Sequence, residues 1–200
     1  MAVTGQGRRG RPAAATREQV IERTLAALRE GRRVDVSSIA EELGLARGTI
    51  YRWFGSREAL VAQVLVMVSQ TVLARFRAEV GGEGGAALVE TLHRFNGQLS
   101  RSHILASLLA NEREAALGLI CASDGPVTTG IAGAIAELIQ VEVDRSAYVA
   151  PLEPALLAHA IVKVGEAFLF NHGNVSVRGD VARTYQVLAA LVFAPPPAEA

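Results

Sequence analysis

The segment from Asp35 to Leu60, DVSSIAEELGLARGTIYRWFGSREAL, most constrains what this chain can fold into. It predicts two short helices joined by a glycine turn, followed at once by the start of a third. Asp35 precedes the first helix, where a carboxylate accepts a hydrogen bond from a free backbone N–H. Ile39 and Leu43 lie four apart and share an inward face. Gly44 stands where a left-handed residue ends a helix at little cost. The spacing then predicts a helix over Arg47–Phe54 that buries Ile50 and Phe54 and presents Arg47, Thr49, Tyr51 and Arg52. Two helices about a glycine turn, the second bearing Arg, Thr and Tyr outward, describe a helix-turn-helix of the kind that enters a DNA major groove.

The pattern Ile39-Ala40-x-x-Leu43-Gly44-Leu45-x-x-Gly48-Thr49-Ile50-Tyr51-x-x-Phe54-x-x-Arg57-Glu58-x-Leu60 resembles the TetR family of bacterial transcriptional regulators. Two departures stand out. Ala46 replaces a serine common in the family, which removes a hydroxyl cap from the recognition helix. Arg57 replaces a common lysine and keeps a cation there. The run Tyr51–Leu60, together with NEREAAL at Asn111–Leu117, is similar to a QsdR-like subgroup associated with control of lactone degradation.

The resemblance implies an all-α fold: an N-terminal three-helix helix-turn-helix DNA-binding domain plus a C-terminal helical ligand-binding and dimerisation domain. It also implies a homodimer, a double-stranded, (pseudo)palindromic DNA operator and a small-molecule effector. The expected organisation is a basic arm over 1–15, the DNA-binding domain over 16–62, the ligand-binding and dimerisation domain over 63–194 and a tail over 195–200.

Composition agrees. Two hundred residues allow one or two domains with a substantial core. Half are hydrophobic, yet no apolar run reaches the roughly 18 residues of a membrane span. The arginine-rich start lacks the apolar core of a signal peptide, so a cytoplasmic protein without a membrane partner is expected. The net charge is zero but uneven: residues 1–66 carry +4 and residues 67–200 carry −4. A basic N-terminal part and an acidic remainder suit a protein that meets phosphate at one end. Within the Gly-, Ala- and Arg-rich first fifteen residues, Arg9-Gly10-Arg11-Pro12 is similar to the core of an AT-hook. Such a segment lies in a narrow A·T minor groove, where negative potential attracts arginine; a solvated tail with only general phosphate attraction is the other reading.

Helices are expected over Arg17–Glu30, Ser56–Val80, Ala86–Arg101, His103–Leu117, from Pro126, over Leu152–His172 and over Val177–Phe193, with a flexible loop at Gly81–Gly85 and a turn at Gly173-Asn174. Strand periodicity is absent. Chemistry assigns the DNA contacts. Arg47 and Arg52 reach guanine edges or phosphates, Thr49 a thymine methyl and Tyr51 a phosphate, while Ser37 and Ser38 meet the backbone; the resemblance implies that Arg57, in place of the common lysine, does so as well. Trp53 is read as packing rather than base stacking. Arg9 and Arg11 complete the set.

For the effector, Phe95, Asn96, Leu99, Asn111, Arg113, Thr128, Ile131, Lys163 and Glu166 are candidates on or near apolar helical faces. Each polar member could equally be surface or structural, and Lys163 and Glu166, three apart, could simply pair. Few aromatics lie there, which favours a small aliphatic ligand over a large flat cation; a lactone or acyl compound rests on the subgroup resemblance. For dimerisation, Leu156, Ala160, Val164 and Phe168 form one apolar stripe and Val181, Leu188, Leu191 and Val192 another. The alternative is that both stripes cover the domain's own core. One recognition helix reads few base pairs, which favours a dimer over two half-sites.

No enzyme is expected. His93, His103, His159 and His172 show no metal-ligand spacing with each other or with Cys121, and Cys121 reads as a small buried hydrophobe. No nucleophile elbow, phosphate loop or dinucleotide glycine run is present, so no catalytic residue, metal or cofactor is assigned. The expected function is a repressor that releases its operator when a small molecule binds the C-terminal domain. The alternative is a constitutive DNA-binding protein without an effector.

Overall fold

The computed structural model describes residues 15–170 and 181–195. The Arg9–Pro12 run, His172, the Gly173-Asn174 turn and Pro196-Pro197 lie outside the described residues. Among those described, nine helices follow one another without a strand: α1 (Arg17–Arg29), α2 (Val36–Glu42), α3 (Arg47–Phe54), α4 (Arg57–Glu79), α5 (Gly84–Ser100), α6 (His103–Ile120), α7 (Pro126–Asp144), α8 (Pro154–Phe170) and α9 (Val181–Val192).

Local chemistry explains most boundaries. Thr16 and Gln19 form a reciprocal capping box at α1, which satisfies two otherwise orphaned N–H groups. Asp35 caps α2 through Ser37 N–H, and Ser56 caps α4 through Ala59 N–H. Gly44, at φ +62°, turns the chain between α2 and α3. Ala46 occupies the N-cap of α3 with no side-chain hydrogen bond. Ala46→Ser is therefore expected to stabilise the protein by about 1 kcal/mol, read as a rise in thermal midpoint; an unchanged midpoint would show that solvent already serves those N–H groups.

Helix α4 is the spine. An 18-residue stretch of it has a mean hydropathy of 1.6, long and apolar enough to cross a membrane by length and composition, where no apolar run of that length was expected. Its buried residues, including Leu60, Val61, Val64, Leu65 and Leu73, instead pack against the other helices. The N-terminal half of α4 shares one core with α1–α3, and that core also takes in Ala116 and Ile120 of α6 and Val127 of α7. The C-terminal half joins α5, α7, α8 and α9 in a second core around Leu88, Leu92, Ile139, Leu157, Ile161 and Leu188.

Helix α6 runs three residues beyond the expected Leu117, and its backbone breaks from helical geometry at Glu112 (φ −144°, ψ 48°). Helix α5 begins inside the expected loop, at Gly84. That glycine sits at φ +72°, and a Cβ there would lie 2.3 Å from the Ala147 carbonyl oxygen; no other residue fits without moving the chain. Tyr148, buried behind it, donates its hydroxyl to the Val192 carbonyl at 2.7 Å. Burial pushes the Tyr148 phenol up to about 12.

Candidate DNA-reading face and ligand cavity

Helix α3 packs Ile50 and Phe54 into the first core and leaves Arg47 and Arg52 exposed, with Thr49 and Tyr51 half-buried. Arg47 donates to the Tyr51 hydroxyl at 3.0 Å, and its guanidinium lies 5.1 Å from the Tyr51 ring centroid. The Tyr51 hydroxyl holds the Arg47 guanidinium above its ordinary pKa. Ser37 and Ser38 are exposed at the start of α2, with Ser38 Oγ donating to Asp35 at 2.7 Å. The Ser38 hydroxyl and the Ser37 N–H together hold the Asp35 carboxyl below its ordinary value. Trp53 meets Phe54 edge-on at 6.4 Å. Arg17 of α1, which the sequence did not single out, lies 5.9 Å from the Trp53 ring centroid.

Arg57 differs from the expected phosphate contact. It is turned inward: Nε donates to the Val34 carbonyl at 2.8 Å, and the guanidinium pairs with Glu112 at 2.5 Å. Arg33 reaches the other oxygen of Glu112 at 3.4 Å. Asn111, expected at the ligand, instead donates to the Gly31 carbonyl at 3.0 Å. Arg113 is solvent-exposed and also stands apart from the cavity described next. The break in α6 thus docks on the loop between α1 and α2 and on the first turn of α4. This junction was not visible in the sequence, because its partners lie 55 residues or more apart.

Between α4, α5, α6, α7 and α8 lies an apolar cavity. Its volume is about 60 Å³. That is room for a few waters and small beside the roughly 300–1,000 Å³ of a ligand pocket. Leu65 and Ser69 come from α4; Leu92, Phe95, Asn96 and Leu99 from α5; Leu105 and Ile120 from α6; Val127, Ile131 and Ile135 from α7; Ile161, Val162, Gly165, Glu166, Leu169 and Phe170 from α8. Phe95, Asn96, Leu99, Ile131 and Glu166 were among the expected residues. Thr128 and Lys163 stand behind the lining, where both donate to Glu166, at 2.9 and 2.7 Å. Ser69 was missed, although it interrupts the apolar run of α4. Gly165 was also missed; it lets α8 approach α5 closely, since a Cβ there would meet Asn96 Oδ1 at 3.1 Å.

The stripes on α8 and α9 divide. Leu156 is 56% exposed, Ala160, Val164, Phe168, Val181 and Leu191 are partly exposed, and Leu188 and Val192 are fully buried. The last two were expected at a dimer contact, but they face the protomer's own core, which a second chain cannot reach. Tyr185, Val187 and Phe193 are exposed on α9 in their place.

Residues 23–64 match the model of bacterial regulatory proteins of the tetR family, and residues 83–193 match the tetracyclin repressor-like C-terminal domain. The transcriptional repressor QsdR of R. erythropolis, from the TetR family, has a similar structure. Its TM-score is 0.82 at 22% identity, covering 92% of this chain and 97% of that one. The TetR family repressor AlkX of Dietzia sp. strain DQ12-45-1b, implicated in biodegradation of n-alkanes, matches with a TM-score of 0.61 at 20% identity, covering 90% and 97%. At these identities the two structures speak for the fold. No curated protein sequence matches the chain. With its helix-turn-helix and its C-terminal helical domain both matched, the chain belongs to the TetR family of bacterial DNA-binding transcription regulators, which are not enzymes.

Proposed function

We propose that the chain is a cytoplasmic, homodimeric repressor that leaves its operator when a small, largely aliphatic molecule enters the C-terminal cavity. One observation carries this reading: the cavity is walled by α4 and α6, the two helices that also hold the DNA-reading unit. Leu65 on α4 is about 12 Å along the helix from Arg57, and Ile120 on α6 about as far from Glu112, at 1.5 Å per residue. A ligand larger than a few waters must displace these walls, and both lead directly to the helix-turn-helix. The ligand works only to the extent that it binds the displaced state more tightly than the closed one.

The exposed apolar residues on α8 and α9 support a two-fold contact, since such a patch is costly in water. A dimer would place two α3 helices on half-sites about 34–36 Å apart, or a multiple of that. The Arg9-Gly10-Arg11-Pro12 arm is proposed to enter the neighbouring minor groove. A lactone or acyl compound remains the proposed effector class.

The test is anisotropy of the labelled DNA flanking the protein's own gene, titrated with protein and then with lactones and acyl compounds. Specific binding that a compound reverses supports the repressor; specific binding that none reverses supports the constitutive alternative. Arg47→Ala should weaken specific binding about tenfold, within the roughly 1–3 kcal/mol of one good base contact, with an unchanged thermal midpoint. Equal loss on random duplex would assign Arg47 to phosphate instead.

A further inference from the structure

Two polar groups give the cavity a chemical preference. Asn96 is 6% exposed and lines the cavity, yet among the described residues its amide has no hydrogen-bond partner. Its amide is not sealed off, since the buried side-chain atom without a partner among the described residues is His93 Nδ1; it opens onto the cavity, where water or a ligand can serve it. Asn96 therefore offers one N–H donor group and one carbonyl acceptor to whatever occupies the space.

Glu166 faces the same space from α8. One of its oxygens accepts from Thr128 and the other from Lys163. A carboxylate has about four acceptor positions, so it can take a further donor from a ligand. Lys163 does not line the cavity, and its ammonium is committed to Glu166 and to the Cys121 carbonyl at 3.3 Å. The Lys163–Glu166 pair is neutral as a whole, but the end that lines the cavity is the carboxylate, and no lining residue carries a positive charge to receive a second anion. A ligand carboxylate placed against Glu166 would give up its water, meet a like charge and find no free cation, since Lys163 is already engaged.

We infer that the cavity selects an uncharged aliphatic molecule whose polar end carries both a hydrogen-bond donor and an acceptor, a carboxamide or a primary alcohol, and that Glu166 rejects the carboxylate of the same chain length. This rests on the ligand-responsive reading above and narrows its effector class, because a plain lactone carries no donor for Glu166 whereas the carboxamide of an acyl chain does. The donor goes to Glu166, and the Asn96 N–H serves the ligand's oxygen. The aliphatic tail lies against Leu92, Ile131 and Ile161.

The experiment is calorimetric titration of the full chain with octanamide, 1-octanol and octanoate at pH 7, with operator anisotropy followed in parallel. Octanamide and 1-octanol should bind at least tenfold more tightly than octanoate. Glu166→Gln should bring the octanamide-to-octanoate ratio to within about threefold, because the repelling charge is gone. Asn96→Leu should weaken octanamide about tenfold while leaving octanoate no better. The wild-type ratio stands whether or not either variant folds. Octanoate binding as tightly as octanamide would overturn the inference; if it also released the operator, the ligand-responsive reading would survive with a different specificity. Binding by none of the three would overturn both the inference and an aliphatic effector.

Discussion

Glu142→Ala is expected to lower the thermal midpoint by about 6–12 °C, the effect of roughly 3 kcal/mol on a chain of this size. Glu142 is fully buried on α7. One oxygen pairs with Arg77 of α4 at 2.5 Å and lies 3.8 Å from Arg145; the other accepts the Gly84 N–H at 2.7 Å. That last bond matters because Glu83, the N-cap of α5, makes no side-chain cap of its own. Glu142 supplies the missing cap from another helix, with its charge at the positive end of the helix dipole. One carboxylate therefore ties α4, α5 and α7 together. Alanine leaves a largely buried guanidinium and a buried N–H without their acceptor, which costs more than the pair itself contributes. Glu142→Gln keeps an oxygen for Gly84 and should lose about half as much.

The pH dependence has a definite sign. Burial pushes the Glu142 carboxyl up, but the Arg77 hydrogen bond and the Gly84 N–H outweigh it and hold the group below its ordinary value of 4.5. A carboxyl lowered in the folded state stabilises the fold above its unfolded pKa and loses that contribution as pH falls through the folded one. The gap in midpoint between wild type and Glu142→Ala should be full at pH 7 and shrink below pH 4.5. A gap that stayed constant into acid would mean that the lost packing, not the charge, accounts for the effect.

The helix-turn-helix was legible because its signals are local. Asp35, Gly44 and Ser56 act on backbone groups within four residues of themselves, and α3 ends and begins where periodicity placed it. The cavity was legible only in part. Phe95, Leu99 and Ile131 follow from apolar stripes, but Asn111 and Arg113, read as polar residues near an apolar helical face, flank the position where α6 is not helical. The break at Glu112 arises from partners on α4 and in the loop before α2, and no window along α6 contains them. On α9 a stripe shows that a face is apolar without saying what covers it. Leu188 and Val192 went to the protomer core, and Tyr148 holds that end of the helix through the Val192 carbonyl.

Glu112→Ala should reduce the factor by which an effector lowers operator affinity about tenfold, while the cavity keeps its ligand. Glu112 is the one carboxylate that the break in α6 presents to two arginines of the DNA-reading end, with its side chain 13% exposed beside an Arg57 that is 18% exposed. Arg57 in turn fixes the Val34 carbonyl. Charged hydrogen bonds this sheltered contribute roughly 1.5–3 kcal/mol, comparable with the 1–3 kcal/mol by which two sites are usually coupled. Without Glu112, α6 retains its apolar contacts but loses its charged contacts to Arg57 and Arg33, and with them the route by which the proposed mechanism would pass displacement at Leu105 and Ile120 to Val34 and the start of α2. Coupling is reciprocal, so operator DNA should also lose its effect on ligand affinity by the same factor. The measurement is the ligand dissociation constant with and without operator, in wild type and variant. A ratio unchanged in Glu112→Ala would place the coupling in α4 alone, where Leu65 and Ser69 meet the cavity and Arg57 begins the same helix.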